Sequence, residues 1–580
     1  MGRMMRRWRL ARAQPDREAR LVAEAGLTPL LARLLVNRGI DGAAAASAFL
    51  GARLSEHLRS PLLFREMGRA ADRLVSALNA GQRIGVYGDY DVDGISGSAI
   101  LLRFFRALGA EPLLHIPHRM RDGYGLNEAG VRRLAEQGAR VMVTVDCGGV
   151  SHREIALAQS LGMDVIVCDH HQVADTALPA HAVLNPIAPD AGFPFSGLCG
   201  AGVAFYLVLG VRMRLREAGV SPLPDLRRYL DLVALGTIAD LVPITEENRV
   251  LVKYGLRELA TSTHPGVIAL KAVSGVSDVS TGVVGFRLAP RLNAGGRLAD
   301  ATRSVDLLTT DNPDHAHALA AALDAENRAR QDIERQILDE AVAQIEEAGG
   351  IGQRRSIVLG SRDWHPGVIG IVASRLVERY YRPTILVASD CVGGLGRGSA
   401  RSIRGFNVYE AIRACRHCLE GFGGHKMAAG LSIRPERIAE LAEHFETVTR
   451  ERTQPEDFIP IADVDAEVPL RDVGEPLFRA LEQMEPYGPA NAEPVFIARN
   501  VHIRSTRIVG ETHLKLHLEQ DGRMLPAIGF GMADRAVDTG AALDILYSPM
   551  TSEWSGTTTV ELRLHDFRSH DGRGVISPSS

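Results

Sequence analysis

Asp89, Asp91 and Asp93 alternate along the run RIGVYGDYDVDG at residues 83–94. In an extended segment, alternation turns all three carboxylates to one side. Like charges packed so closely repel, and they stay ionised only beside a cation. The plainer reading of the same residues is an Asp-rich turn in which Asp93 caps the next helix. Further acids and imidazoles recur downstream in comparable places. Asp146 ends VMVTVD, Asp169-His170-His171 ends MDVIVCDHH, and Asp240 ends YLDLVALGTIAD. Each alone reads as a turn or helix-terminal acid, and a single His is more often structural than a ligand. Taken together, carboxylates with one or two imidazoles favour Mn²⁺ or Mg²⁺ over a thiolate-type zinc site. Two such ions bridged by one carboxylate, about 3.5–4 Å apart, can generate hydroxide and stabilise an in-line phosphoryl displacement.

The elements around these residues place them on one edge of a sheet. Strand-like runs fall at RIGVYGD, EPLLHIPH (111–118), RVMVTVD (140–146) and MDVIVCD (163–169), with HAVLNP (181–186) as a possible fifth. Helical stretches near 95–108, 127–137 and 151–161 separate the first four, the pattern of βαβ units and a mostly parallel sheet. Ligands of such sheets bind outside the carboxyl ends of the strands, where the acids are expected. Short helices are expected from residue 8 to about 80, and longer ones at 200–219 and 226–238. A charged helix at about 311–347 stops at Gly349-Gly350. A second α/β unit starts at Arg355, and Pro455 to about His570 alternates as a small β-barrel or sandwich would. The expected division is 1–80 helical, 81–245 metal-binding, 246–350 helical connector, 351–452 substrate-binding and 455–570 a barrel of OB type. The last ten residues read as a disordered tail.

Composition narrows the function class. A chain of 580 residues is long enough for several domains, and its net charge of −4 makes it no global polyanion binder. A nucleic-acid partner must therefore meet local basic patches. Six cysteines are sparse for this length and suit a reducing compartment. Cys415-Arg-His-Cys418 has redox or zinc spacing, but no second CxxC completes a site. The basic N-terminus lacks the apolar core of a secretory signal, and no run of eighteen apolar residues occurs, so the cytoplasm is expected and a membrane is not. No GKS or GKT is present, so a P-loop and ATP are not implied.

GDYDVDG, VTVDCGG, DHH and LGTIAD, in that order, resemble the metal-binding motifs of the DHH phosphoesterase superfamily. APRLNAGGR, WHPGVIGIVASRL, GRGSARS and GFGGHKMAAG further resemble its RecJ branch, the single-stranded-DNA-specific exonucleases, and the last three the accompanying DHHA1 domain. The resemblance implies that Asp91, Asp93, Asp146, His170 and Asp240 hold two ions of Mn²⁺ or Mg²⁺, with Asp146 as the bridge. Asp89, Asp169 and His171 would be catalytic neighbours, His171 meeting the scissile phosphate. It also implies hydrolysis of single-stranded DNA from the 5′ end, releasing mononucleotides in repair and recombination, with a single-strand-binding protein and a helicase as possible partners. One departure stands out: superfamily pyrophosphatases carry His where this chain has Tyr87.

On the substrate side, Arg397, Ser399 and Arg401 lie in a Gly-rich run suited to an anion that must approach backbone. His425 adds an imidazole, Arg291, Asn293 and Arg297 add polar groups, and Arg119 matches a family arginine. Trp364 and His365 have the chemistry to stack on a base, although Trp before a helix is as often core. Arg499, Arg504, Arg507 and Lys515 give the barrel a basic character. Two rival readings are a short-oligonucleotide or cyclic-dinucleotide phosphodiesterase of the same superfamily, and a non-catalytic replication factor on a decayed core. The extra β-domain disfavours the first and the complete set of acids the second.

Overall fold

The computed structural model describes residues 6–119, 121–298, 300–389, 394–554 and 557–570; Cys391 and the tail at 571–580 lie outside them. The chain forms two compact units. One comprises Met1–Ala46, Gln331–Met484 and Glu493–Ser580, the other Ser47–Arg330 and Glu485–Ala492.

Where helices alone were expected, the chain opens with a strand, β1 (Arg7–Leu10), paired in parallel with residues Ile461–Val464. Arg and Trp alternate there without helical periodicity, and the partner strand lies far away in sequence, so no local signal marks it. The helices Pro15–Ala25 and Pro29–Asn37 follow.

In the second unit, β2 (Arg83–Gly88), β3 (Leu113–His115), β4 (Ala139–Val145), β5 (Asp164–Cys168) and β6 (Ala182–Leu184) form one sheet in the order β3-β2-β4-β5-β6. All four pairings are parallel. The strands are nearly continuous apolar runs because both faces are covered. Val141, Val143 and Val145 join one core cluster with Phe104 and Val203, while Met142 joins the other with Val131 and Ile155. Each such side chain, fully buried, is worth about 1.5–3 kcal/mol over exposure. The helix Val92–Ala107 leaves the end of β2, and Gly200–Glu217 packs beside it. Helices Glu246–Thr261, Pro265–Val273, Ala289–Leu298 and Thr302–Thr309 complete this unit, and the 35-residue helix Pro313–Glu347 continues past its boundary at Arg330.

In the first unit, β7 (Ile357–Ser361), β8 (Thr384–Ala388), β9 (Gly396–Arg401), β10 (Gly421–Gly424) and β11 (Ala428–Ile433) form a mixed sheet in the order β10-β11-β9-β8-β7. β7 and β8 are parallel and the remaining pairs antiparallel. After β12 (Ile461–Val464) and β13 (Ala466–Glu467), the strands β14 (Phe496–Val509), β15 (His513–Gln520), β16 (Arg523–Gly529), β17 (Ala542–Trp554) and β18 (Thr557–Ser569) close into a five-stranded barrel through β14–β17 pairing. An amphipathic helix, Glu475–Met484, precedes the barrel strands.

Residues Glu485–Ala492 return to the parallel-sheet unit, and a buried arginine holds them there. Arg249, 1% exposed, donates to the carbonyls of Phe49 (2.6 Å), Glu485 (2.7 Å) and Pro486 (3.3 Å), with its guanidinium 3.8 Å from the Phe49 ring centroid. Ile244 N–H donates to the Pro489 carbonyl at 2.8 Å, closing the same segment onto the unit. Arg249→Met keeps most of the volume but strands the Phe49 and Glu485 carbonyls, while that of Pro486 keeps Asn491 Nδ2 at 2.9 Å, and this should cost about 3 kcal/mol. Chemical denaturation of the two proteins measures this; equal stability would show that the carbonyls find other donors.

Candidate metal centre and phosphate pocket

The acids of the candidate metal centre are positioned by the ends of β2, β4 and β5 and by two helix termini. Asp89 follows β2, where its N–H donates to the Val145 carbonyl of the neighbouring strand at 3.1 Å. Asp91 caps the Val92–Ala107 helix, its Oδ1 accepting from the N–H groups of Asp93 (2.9 Å) and Gly94 (3.2 Å). The capping expected of Asp93 thus falls to Asp91. Asp93 instead reaches the start of the Gly200–Glu217 helix, where Gly200 N–H donates to Oδ2 (2.5 Å) and Ala201 N–H to Oδ1 (2.8 Å). The positive end of that helix supports the carboxylate. The loop can turn this tightly only because Gly94 has no side chain: a Cβ there would lie 2.5 Å from the Asp89 carbonyl oxygen.

Asp146 leaves β4 in the left-handed region, with φ of 63°, and is 1% exposed. Its Oδ1 lies 3.0 Å from His170 Nε2 and 3.6 Å from His171 Nδ1. His170 Nε2 is also 3.6 Å from both Asp93 Oδ2 and Asp240 Oδ2. Asp169 does not enter this group directly. Its carboxylate accepts from the N–H groups of Gly149 (2.7 Å), His170 (2.8 Å) and His171 (3.1 Å), and Oδ1 lies 2.9 Å from His171 Nδ1. Asp169 therefore orients the two histidines. Burial opposes its ionisation, but the hydrogen bonds from His171 and Gly149 outweigh it and hold the carboxyl below its ordinary value.

Asp146 and Asp240 have no backbone N–H donor of this kind, and the backbone hydrogen bonds that Asp89 takes from Tyr90 and Asp91 do not offset its burial. Burial, reinforced by the neighbouring carboxylates, pushes Asp89 and Asp146 well above the ordinary carboxylate range and Asp240 up to about 9. Asp89 Oδ1 is buried with no hydrogen-bond partner. Three groups of ligand atoms, each within 4.8 Å of one another, are drawn from Asp89, Asp91 and Asp146, from Asp93, His170 and Asp240, and from Asp146, His170 and His171. The groups share Asp146 and His170. An orphaned buried carboxylate oxygen and an all-oxygen-and-imidazole donor set fit Mn²⁺ or Mg²⁺.

Sequence reasoning missed Tyr124 and Asn185, which shape the centre. Tyr124 OH donates to the Asp146 carbonyl (3.0 Å) and lies 2.9 Å from His171 Nδ1. Asn185, fully buried, donates to the His171 carbonyl at 2.9 Å. Tyr87 points away from the acids: its OH accepts from Asn127 N–H (3.1 Å) and Nδ2 (2.9 Å), anchoring the loop that carries Tyr124. Neither Tyr124 nor Asn185 stands in a charged motif, so no local signal singled them out. The His expected of a pyrophosphatase is thus replaced by a loop anchor.

A chain of this geometry has close relatives. A single-stranded-DNA-specific exonuclease RecJ from Bacillus subtilis strain 168 is 36% identical over 566 residues, covering 97% of this chain and 70% of the relative. The chain belongs to the RecJ family. Family profiles described as the DHH family N-terminal domain, the DHHA1 domain and the RecJ OB domain match residues 83–237, 354–451 and 464–566. RecJ from Thermus thermophilus in complex with Mn²⁺ superposes with a TM-score of 0.83 at 31% identity, over 97% of this chain and 79% of that one. The Mg²⁺ complex of the same protein gives 0.77 at 30% identity, over 97% and 78%.

The remaining residues singled out in this RecJ-family chain fall in several places. Arg397, Ser399 and Arg401 alternate on one face of β9 while Gly396, Gly398 and Ala400 are buried. Arg401 Nη1 donates to Ser399 Oγ at 3.0 Å, and both side chains crowd the start of the Ile369–Tyr380 helix, where a Cβ on Gly370 would lie 2.9 Å from each. An arginine, a hydroxyl and a helix N-terminus together have the chemistry to bind an anion. His425 sits in the β10–β11 hairpin, its N–H donating to the carbonyl of Ala428, the register partner of Arg401. Asn293 Oδ1 accepts from Val92 N–H (3.2 Å) beside the acids. Arg119 lies over the Tyr90 ring, 4.9 Å from its centroid. Arg291 is engaged by Asp324 (2.8 Å), and Arg297 shares a helix with it. Trp364 is core, 3% exposed, donating to Glu340 at 2.8 Å. In the barrel, Arg499 pairs with Glu467, Arg504 with Glu519 and Lys515 with Glu561, which neutralises much of the expected basic surface.

Because the folded protein penalises the ionised Asp146, removing that charge should stabilise the metal-free fold at neutral pH. Asp146→Asn in EDTA should gain about 0.5–2 kcal/mol over wild type, while Mn²⁺ should raise the melting temperature of wild type far more than that of the variant. A variant less stable in EDTA, with an undiminished response to Mn²⁺, would contradict this electrostatic account.

Proposed function

We propose that this chain is a metal-dependent exonuclease that degrades single-stranded DNA from its 5′ end and releases mononucleotides. The observation that carries the reading is the buried set of acids sharing Asp146 and His170, in a chain of the RecJ family. Asp89, Asp91, Asp93, Asp146, His170 and Asp240 would hold Mn²⁺ or Mg²⁺, with Asp146 common to two of the three ligand groups. When bound, two such ions supply a hydroxide nucleophile and stabilise charge on the phosphoryl oxygens.

The residues of the chain do the rest. His171 is fixed through Nδ1 by Asp169 and Tyr124, leaving Nε2 for a phosphate oxygen. Burial lowers the basicity of His171, but Asp169 more than restores it, so the ring holds its second proton more firmly than a free imidazole does. Ser399 and Arg401 beside the Ile369–Tyr380 helix, together with Arg397 and His425, would hold a terminal 5′-phosphate. The barrel would extend the track for the strand, and a helicase or single-strand-binding protein would present it. Retention of every acid argues against a binding-only factor.

A gel with 5′- and 3′-labelled single-stranded oligonucleotides tests the assignment. Label should leave first as a mononucleotide from the 5′ end, require Mn²⁺ or Mg²⁺, and vanish with Asp146→Asn. Phosphate held by Arg is charge-assisted, so Arg401→Ala should lower the preference for a 5′-phosphorylated end by about one to two orders of magnitude. First release from the 3′ end, or full activity in EDTA, would overturn the proposal.

A further inference from the structure

A second cluster with metal-binding chemistry lies in the other unit, within the segment that matches the DHHA1 domain. Cys418 and His417 end the short turn Arg416–Cys418 that leads into β10. Glu440 and His444 stand one turn apart on the helix Ile438–Arg452 and so share a face. One ligand atom from each of the four residues lies within 4.8 Å of the others. The rings of His417 and His444 are 4.6 Å apart and perpendicular, an edge-to-face contact that holds the two imidazoles side by side. The sequence offers only Cys415-Arg-His-Cys418 with no second CxxC; the fold supplies the missing pair from a helix more than twenty residues downstream.

We propose that Cys418, His417, Glu440 and His444 form a structural zinc site. Zinc bound by thiolate, imidazole and carboxylate at about 2.0–2.3 Å, in tetrahedral array, needs ligand atoms about 3.3–3.8 Å apart, which small rotations of side chains already this close provide. One thiolate and one carboxylate balance the dication, and the two imidazoles complete a closed four-ligand set with no position left for water. The donor set differs in kind from the carboxylate-rich centre, so the two sites select different metals. Arg437 supplies the outer support. It donates to both Glu440 oxygens at 2.9 Å and to the His417 carbonyl, tying together the turn and the helix that carry the ligands. The site would clip the entry of β10, the edge strand whose hairpin presents His425, to the helix behind it.

Cobalt substitution in the full-length protein tests this without reading nuclease activity. A thiolate ligand gives Co²⁺ a near-ultraviolet charge-transfer band that carboxylates and imidazoles cannot produce, so ions at the acidic centre are silent in this assay. The wild-type protein should develop the band with one Co²⁺ per chain and lose it on addition of Zn²⁺. Cys418→Ser should abolish it and Cys415→Ser retain it. Should Cys418→Ser fail to fold, the exposed His444→Ala and His417→Ala variants read the same site and should weaken the Co²⁺ affinity by about tenfold or more. Absence of the band in wild type, its survival in Cys418→Ser, or unchanged affinity in both histidine variants would overturn the proposal.

Discussion

Repulsion among carboxylates that the fold forces together is the constraint on which the catalytic unit depends. The chain resolves it in two ways. Asp91, Asp93 and Asp169 are met by backbone N–H groups from the Val92–Ala107 turn, the start of the Gly200–Glu217 helix, and the Gly149 and His170-His171 backbone. Asp89 and Asp146, buried, and Asp240, half-buried, lie beside them where burial and the neighbouring carboxylates outweigh whatever donors they have, and their acidity is suppressed. The first set gives the site its shape, and the second stores the electrostatic demand that a divalent cation satisfies. Such an arrangement lowers the stability of the metal-free fold in exchange for function.

The close approach of helices to strand ends makes this possible. A Cβ on Gly200 would lie 2.7 Å from the Asp146 Cβ, and one on Gly97 would lie 2.5 Å from Val145 Cγ1. Both glycines let a helix lie against the carboxyl edge of the sheet, so that its backbone, rather than a flexible side chain, meets the acids. Asp146 adds a left-handed backbone, a conformation Asp tolerates better than most residues.

Much of this was legible in the sequence because the catalytic unit is written in local signals. Apolar runs ending in Asp89, Asp146 and Asp169 announced parallel strands and the edge that carries the acids, and all five strands are present, including the short Ala182–Leu184. Asp240 was legible as the end of a helix and lies at the C-terminus of Leu230–Ala239. Features built from distant partners were not. The β1–β12 pairing joins Arg7–Leu10 to Ile461–Val464, and the return of Glu485–Ala492 depends on a buried Arg249 that sequence reads as surface charge. Tyr124 and Asn185 act through single hydrogen bonds to backbone, which leave no spacing to recognise. The same limit hid the partners of Cys418, which lie on a helix rather than in a second CxxC.

One buried carboxylate, Asp146, would organise the metal centre. Anomalous scattering at the manganese edge from crystals grown with Mn²⁺ measures that most directly. Two peaks about 3.5–4 Å apart, one on each side of the Asp146 carboxylate, are predicted. Ions bound only elsewhere, or a single ion that leaves Asp146 without a contact, would contradict it.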